Sequence, residues 1–179
     1  VYGTCERLNP EAPVPILKFN RKETTKGMAW NVRENLMSFG MEVYIITNQE
    51  SIIKTRYIDE KSNQHILRVD EEGLCEPMEY ELPEDEYDAL VISDYDKGFL
   101  TEDDINEICW KHSNVFLDTK KILGVWCQHA KIIKINDYEY KNSKPYLVPE
   151  IKNKIIHTME EEGCEYKGKR YGVKKVEVK

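Results

Sequence analysis

Apolar residues recur in two rhythms along this chain, and the rhythms come in blocks. Ala29 to Phe39 sets Val32, Leu36 and Phe39 along one face and stops at Gly40, which predicts a helix. Glu42 to Thr47 contains Val43-Tyr44-Ile45-Ile46 and predicts a buried strand. Lys54 to Asp59 and His65 to Val69 flank Glu60-Lys61-Ser62-Asn63 as a hairpin. Ala89 to Ser93 is a further strand, followed by a helix from Thr101 to about His112. Thr101 can cap that helix, Asp104 sits three residues on, and Ile105, Ile108 and Cys109 form its buried face. Val115-Phe116-Leu117 and Ile132-Ile133 follow as strands. Strand, helix, strand at this spacing predicts a mostly parallel sheet with right-handed crossovers.

The ends of the chain are less regular. Arg7 to Leu17 carries Pro10, Pro13 and Pro15 and predicts an extended, proline-stiffened lead-in. Pro149 to Gly163 sets Ile151, Ile155, Ile156 and Met159 at helical spacing, so a helix leading into a short strand is expected. Cys164 to Lys179 alternates through Tyr166, Tyr171, Val173, Val176 and Val178, with Lys167-Gly168-Lys169 as a hairpin turn.

At 179 residues, 40% hydrophobic and 33% charged, the chain suits one globular domain with a real core. No apolar run approaches the ~20 residues of a membrane span, and no signal-peptide pattern opens the chain. From the start at Val1 rather than Met, a beginning inside a longer polypeptide is expected. A net charge of −7 argues against a nucleic-acid partner. Asp70 to Asp88 holds ten acids without a Lys or Arg, and reads as a solvated acidic connector. The five cysteines share no C-x-x-C spacing, which excludes zinc and thioredoxin-type sites and fits reduced thiols in a cytoplasmic protein.

Candidate chemistry starts at Val91-Ile92-Ser93-Asp94-Tyr95-Asp96-Lys97-Gly98. A short apolar run ends in acids, a lysine and a glycine. This is a buried strand delivering a polar loop at its C-terminal edge, where open α/β sheets place ligands. The loop resembles the S-D-Y-x-K-G loop of the ribokinase (PfkB) family of sugar kinases, in its heptose-phosphate kinase branch. Further segments match in order. Arg7 to Pro15 is similar to R-x-S-P-E-A-P-V-P, and Gly27-Met28-Ala29-Trp30-Asn31-Val32 to G-G-A-A-N-V. Lys54-Thr55-Arg56 and Gln64-x-x-Leu67-Arg68-Val69-Asp70 resemble the family's lid strands. Asp118-Thr119-Lys120 resembles D-P-K, and Asn136-x-x-Glu139 resembles N-x-x-E.

The resemblance implies a three-layer ribokinase-like α/β fold over 1–179, with 54–69 as a lid hairpin that covers a cleft or pairs in a homodimer. It implies ATP-dependent phosphorylation of a sugar or sugar phosphate, with a heptose phosphate as one candidate, and magnesium as the accompanying ion. Asn31 would bond sugar hydroxyls, or simply cap its helix. Gly27 would admit the sugar to the backbone, or serve only a turn. Lys97 would offset phosphate charge with Asp94 orienting it, or both would be surface-loop residues. Arg56 and Arg68 would grip a sugar phosphate, or pair with Asp59 and Asp70. Asn136 and Glu139 would face the nucleotide, Glu139 holding magnesium through water; alternatively Asn136 caps a turn. The four histidines show no metal-ligand spacing.

Departures are equally specific. Met28 and Trp30 replace a glycine and an alanine, which narrows or reshapes the sugar pocket. Thr158-Met159-Glu160 replaces T-x-G and puts an acid near the nucleotide. The family's D-x-x-G-A-G-D segment, which carries the catalytic base, is expected beyond Lys179. Without that base the rival expectation is a non-catalytic sugar- or partner-binding protein.

Overall fold

Pro15 opens a strand rather than stiffening a lead-in. Tyr2–Leu8 (β1) and Pro15–Arg21 (β2) form an antiparallel pair, where the sequence suggested only extended chain over 7–17. Pro10 and Pro13 lie in the connection, and Pro15 is the first residue of an edge strand, where a missing N–H costs little. The computed structural model describes residues 1–49, 52–71, 73–79 and 87–173. The chain divides into two compact units, Val1–Gly73 and Leu74–Lys179.

In the first unit, helix α1 (Met28–Ser38) follows β2 and ends before Gly40, whose φ of 80° suits glycine. It buries none of its residues, and Phe39 is 79% exposed, so the expected Val32, Leu36 and Phe39 stripe is not a core face. The expected strand over 42–47 does not form. Residues 41–48 have no regular structure, and β2 and β4 remain the edges of the unit's sheet. An apolar run becomes a strand only where a neighbour supplies ladder bonds, so its composition was an insufficient signal. Ile53–Asp59 (β3) and Gln64–Glu71 (β4) make the expected hairpin, and β3 joins β1 in parallel, giving the order β2-β1-β3-β4.

Asp59 pins this sheet. Its Oδ1 accepts the Cys5 N–H at 2.9 Å, and its Oδ2 accepts the Ser62 hydroxyl at 2.6 Å and the Ser62 N–H at 3.0 Å. One buried carboxylate thus joins β1 to the hairpin turn.

The second unit carries a six-stranded sheet. Leu90–Asp94 (β5), Val115–Thr119 (β6), Ile132–Asn136 (β7) and Ile155–Thr158 (β8) are parallel neighbours. Cys164–Tyr166 (β9) and Lys169–Tyr171 (β10) extend it antiparallel beyond β8. In register, Ile92 faces Leu117, Leu117 faces Ile133, and Ile133 faces Ile155; all four are buried. Helix α2 (Glu102–Lys111) adds Ile105, Ile108 and Cys109 to that core, and the expected Thr101–Asp104 capping box is present. This is the expected α/β class with a mostly parallel sheet.

Helix α3 (Asp137–Ser143) leaves the end of β7, and a short α4 (Pro149–Lys152) precedes β8. The stripe over 149–163 is therefore split, with Ile155 and Ile156 in a strand, because Ile155 completes the apolar row that the sheet requires. The five cysteines are free thiols. Burial pushes Cys109 up to about 12 and Cys127 up to about 11, so both are inert packing groups. Part of the acidic connector (72 and 80–86) and the alternation beyond 173 lie outside the described residues.

The Asp59 bonds to Ser62 and Cys5 hold its carboxyl below the ordinary carboxylate range. Its contribution is therefore full above the unfolded value of about 3.9 and is lost as pH falls through the lower folded value. Hydrogen exchange at the Cys5 and Ser62 amides is expected to accelerate below about pH 4. Asp59→Asn should show that acceleration already at neutral pH; unchanged exchange in the variant would contradict the pinning role.

Candidate functional site

The strand that carries Ile92 also carries Asp94 two residues later, on the same face and beyond the apolar row. The same step takes β6 from Leu117 to Thr119. Asp94 and Thr119 are register partners, and both are buried. The sheet therefore changes from an apolar row to a polar one at its C-terminal edge.

Asp94 is fully engaged. Its Oδ2 accepts the Thr119 hydroxyl at 2.6 Å and lies 3.5 Å from Lys121 Nζ, while its Oδ1 accepts the Asp96 N–H at 3.0 Å. Lys121 is 9% exposed and also pairs with Asp96. Burial works against its charge, yet the Asp96 and Asp94 contacts hold its pKa above the ordinary lysine value. The loop turns tightly here, with φ of 53° at Asp96 and 95° at Gly98. A side chain at Gly98 would also crowd the Cys75 carbonyl at 3.1 Å. The glycine of the motif is required by the backbone.

One residue earlier, Lys120 takes the opposite side. Its backbone N–H donates to the Asp94 carbonyl at 3.1 Å, and its ammonium pairs with Glu139. Glu139 is buried and closes a capping box on α3. Its Oε2 accepts the Asn136 N–H at 2.7 Å, and Asn136 Oδ1 accepts the Glu139 N–H at 2.9 Å. The N-x-x-E pair thus serves as a helix cap with a lysine attached. The ends of β5, β6 and β7 are linked in one chain of contacts from Asp96 to Asn136.

A cleft of about 700 Å³ opens beside Asn136, lined also by Asp137, Tyr138, Lys141, Thr158, Glu160 and Tyr171. Lys141 pairs with Asp137 at 2.5 Å and, with the His157 contact, keeps that carboxyl below its ordinary range. Glu160 brings an acid to the wall in a left-handed conformation, φ 48°. Gly163 packs against the Tyr171 carbonyl at φ 91°, where any Cβ would collide at 2.0 Å.

The sequence candidates fall into separate groups. Asp94, Lys97, Asn136 and Glu139 are all in the second unit, and Lys120 and Lys121 connect Asp94 to the last two. Lys97 offers its carbonyl to the Cys75 N–H at 2.6 Å, and the ammonium of Lys121 lies beside Asp94. In the first unit, Gly27 is the α1 N-cap with open space around it, so close packing does not demand glycine there. Asn31 lies in the first helical turn, exposed, with its N–H on the Gly27 carbonyl; it is not the cap. Trp30 is flanked by Lys26 at 3.9 Å and Arg33 at 5.2 Å from its ring centroid. Arg56 and Arg68 are direct cross-strand partners. Arg68 binds both oxygens of Asp70 at 2.6 Å, whereas Arg56 has no ion pair among the described residues.

Thr119 and Lys120 belong to a motif that carried no assigned role, and Lys121 was not among the candidates. Their signal was present: a polar exit from a strand, with two adjacent lysines, is the counterpart of the acidic exit from β5. The described residues contain no group of three or more His, Cys, Asp or Glu able to hold a metal ion. Glu139 offers a buried carboxylate, the kind of oxygen ligand that magnesium takes.

No family model matches the chain. It is 31% identical over 183 residues to the bifunctional protein HldE of Nitratiruptor, covering 83% of this chain and 39% of the relative. It is 30% identical over 184 residues to the HldE protein of Helicobacter acinonychis, covering 80% and 40%. The chain thus spans about two fifths of the length of these curated relatives. A ribokinase from Thermotoga maritima aligns in structure with a TM-score of 0.41 and 14% identity, over 83% of this chain and 56% of that one. Most of this chain is thus similar to one part of the HldE proteins.

Lys121→Met would leave Asp94 buried without its cation and is expected to cost about 3 kcal/mol or more. Thr119→Val, which removes one buried hydrogen bond, should cost about 1–3 kcal/mol. Denaturant titration of both variants checks this; a Lys121→Met cost under about 1 kcal/mol would show that Asp94 does not depend on the lysine.

Proposed function

We propose that the chain carries the substrate- and nucleotide-binding part of an ATP-dependent kinase acting on a sugar phosphate, with a heptose phosphate as the leading candidate. The observation that carries this reading is the paired lysine exit of β6, between the acids of β5 and α3. Phosphoryl transfer needs cations preorganised where charge develops and little other chemistry from the protein. Lys120 is 38% exposed and can exchange Glu139 for a phosphate oxygen. The exchange would free Glu139 to receive a water of the magnesium that accompanies ATP. Lys121 stays buried and holds the Asp94 loop in place. The cleft beside Asn136 falls within the ~300–1,000 Å³ range of small-molecule sites and suits a nucleoside portion. Tyr138 and Tyr171 offer ring faces for the base.

Arg56 supports a phosphorylated rather than a neutral sugar. Two guanidiniums placed directly opposite each other repel, and Asp70 is shared between Arg68 and Lys54. A bound phosphate would remove the imbalance, and Asn31, exposed on α1, is offered for sugar hydroxyls.

Calorimetry and coupled ADP release with a panel of sugars and sugar phosphates test this reading. Binding of a sugar phosphate is expected, and Arg56→Ala should weaken it about tenfold while leaving neutral sugars little affected. Equal loss for both, or no binding by either, would sink the assignment. Sugar-phosphate binding without ADP release would favour a non-catalytic binding protein.

The same sheet supports a homodimer through the lid. Ile53, Leu67 and Val69 share one face and are 47%, 55% and 39% exposed. A second copy that covers this face would bury it and protect the β4 edge. Sedimentation is expected to give a dimer that Leu67→Glu turns into monomer; a monomeric parent chain would rule the interface out.

A further inference from the structure

His157 joins a small cavity of the second unit to Asp137, a wall residue of the main cleft. On one side its Nε2 lies 3.1 Å from Asp137 Oδ1, and Asp137 lines the 700 Å³ cleft. On the other side the imidazole lines a separate cavity of about 210 Å³, together with Tyr140, Lys152, Asn153, Glu165 and Lys167. The Tyr140 ring stacks on the imidazole at 4.2 Å and 14°, which fixes the ring between them.

Its lining is cationic and rich in donors. Lys152 and Lys167 form no ion pair among the described residues. Glu165 is the acid of the wall, and it is engaged by Arg170, whose Nε lies 3.4 Å from its Oε2. Asn153 adds amide donors and Tyr140 a hydroxyl. Lys167 sits in the two-residue turn between β9 and β10 at φ 49°, followed by Gly168 at φ 74°. Such turns favour Asn, Asp or Gly at that first position, so backbone ease does not account for a lysine. Its ammonium lies 5.3 Å from the Tyr166 ring centroid, and the residue itself lines the cavity.

We propose that this side cavity is a second ligand site, for a small phosphate-bearing anion, held by Lys152 and Lys167 with the amide of Asn153 and bordered by His157. A tetrahedral dianion matches two uncompensated ammonium groups and neutral donors in a space too small for a nucleotide. Because His157 also bonds Asp137, an occupied side cavity changes the charge facing one wall residue of the main cleft.

The test is a titration of the whole chain with inorganic phosphate, and separately with glycerol phosphate, at ionic strength held constant with chloride. The readout is the ring resonances of the histidines. Saturable movement of the His157 signals is expected, with His65 and His129 unmoved. Lys152→Gln with Lys167→Gln should lower phosphate affinity about tenfold or more, while Lys141→Gln in the main cleft retains it. Tighter binding of the ester would identify a phosphorylated metabolite, and tighter binding of phosphate the free ion. An unmoved His157, movement matched by chloride alone, or dependence on Lys141 rather than the lysine pair would overturn the proposal. Should the double variant unfold, Lys152→Arg with Lys167→Arg must preserve the His157 response, and loss of response in that folded variant would overturn it equally.

Discussion

A carboxylate buried at the end of a parallel strand must have its charge met, and in this protein Asp94 sets that demand. Thr119, Lys121 and the Asp96 amide all converge on it. Leaving such a charge unpartnered costs several kcal/mol, more than any surface ion pair returns. The register of β5 against β6 is therefore specified twice, by the Ile92–Leu117 contact and by the polar pair two residues beyond. A slip of one residue would expose the first and bury the second among the wrong groups. Lys120 is then carried to Glu139 as a consequence of chain direction.

How much of this was legible depended on whether the signal was local. The Thr101–Asp104 cap, the hairpin over 54–69 and the strand before Asp94 follow from adjacent residues and were readable. The apolar run Val43 to Ile46 was misleading because a strand also needs a neighbouring edge, which the run itself does not encode. The helix leading into a short strand expected over 149–163 is present, as α4 and β8, with Ile155 in the apolar row of the sheet. β1 and β2 were hidden by their prolines, whose edge and turn positions become visible only in the assembled sheet.

The candidate site shows the same division. Asp94, Asn136 and Glu139 were identifiable from their motifs, and the structure connects them. Lys121 was not, since nothing in Asp118-Thr119-Lys120-Lys121 shows which ammonium is buried. Motif reading had Asp94 orient Lys97, the nearer lysine in sequence, and strand pairing brings in a further lysine from 27 positions away. For Asn31, the structure removes one reading outright, because Gly27 occupies the cap position and leaves the amide of Asn31 exposed.

Glu139 holds two offices at once, as the closing half of a helix cap and as the counter-charge of Lys120. A ligand that draws Lys120 away leaves the carboxylate bonded to Asn136 alone, and one that draws Glu139 away unlatches the first turn of a helix only seven residues long. Occupancy and fraying are thereby thermodynamically linked. Loss of function after substitution at Glu139 would report the mechanical loosening of that turn as much as any chemistry at the carboxylate, and the two contributions separate only when helix order is followed alongside turnover.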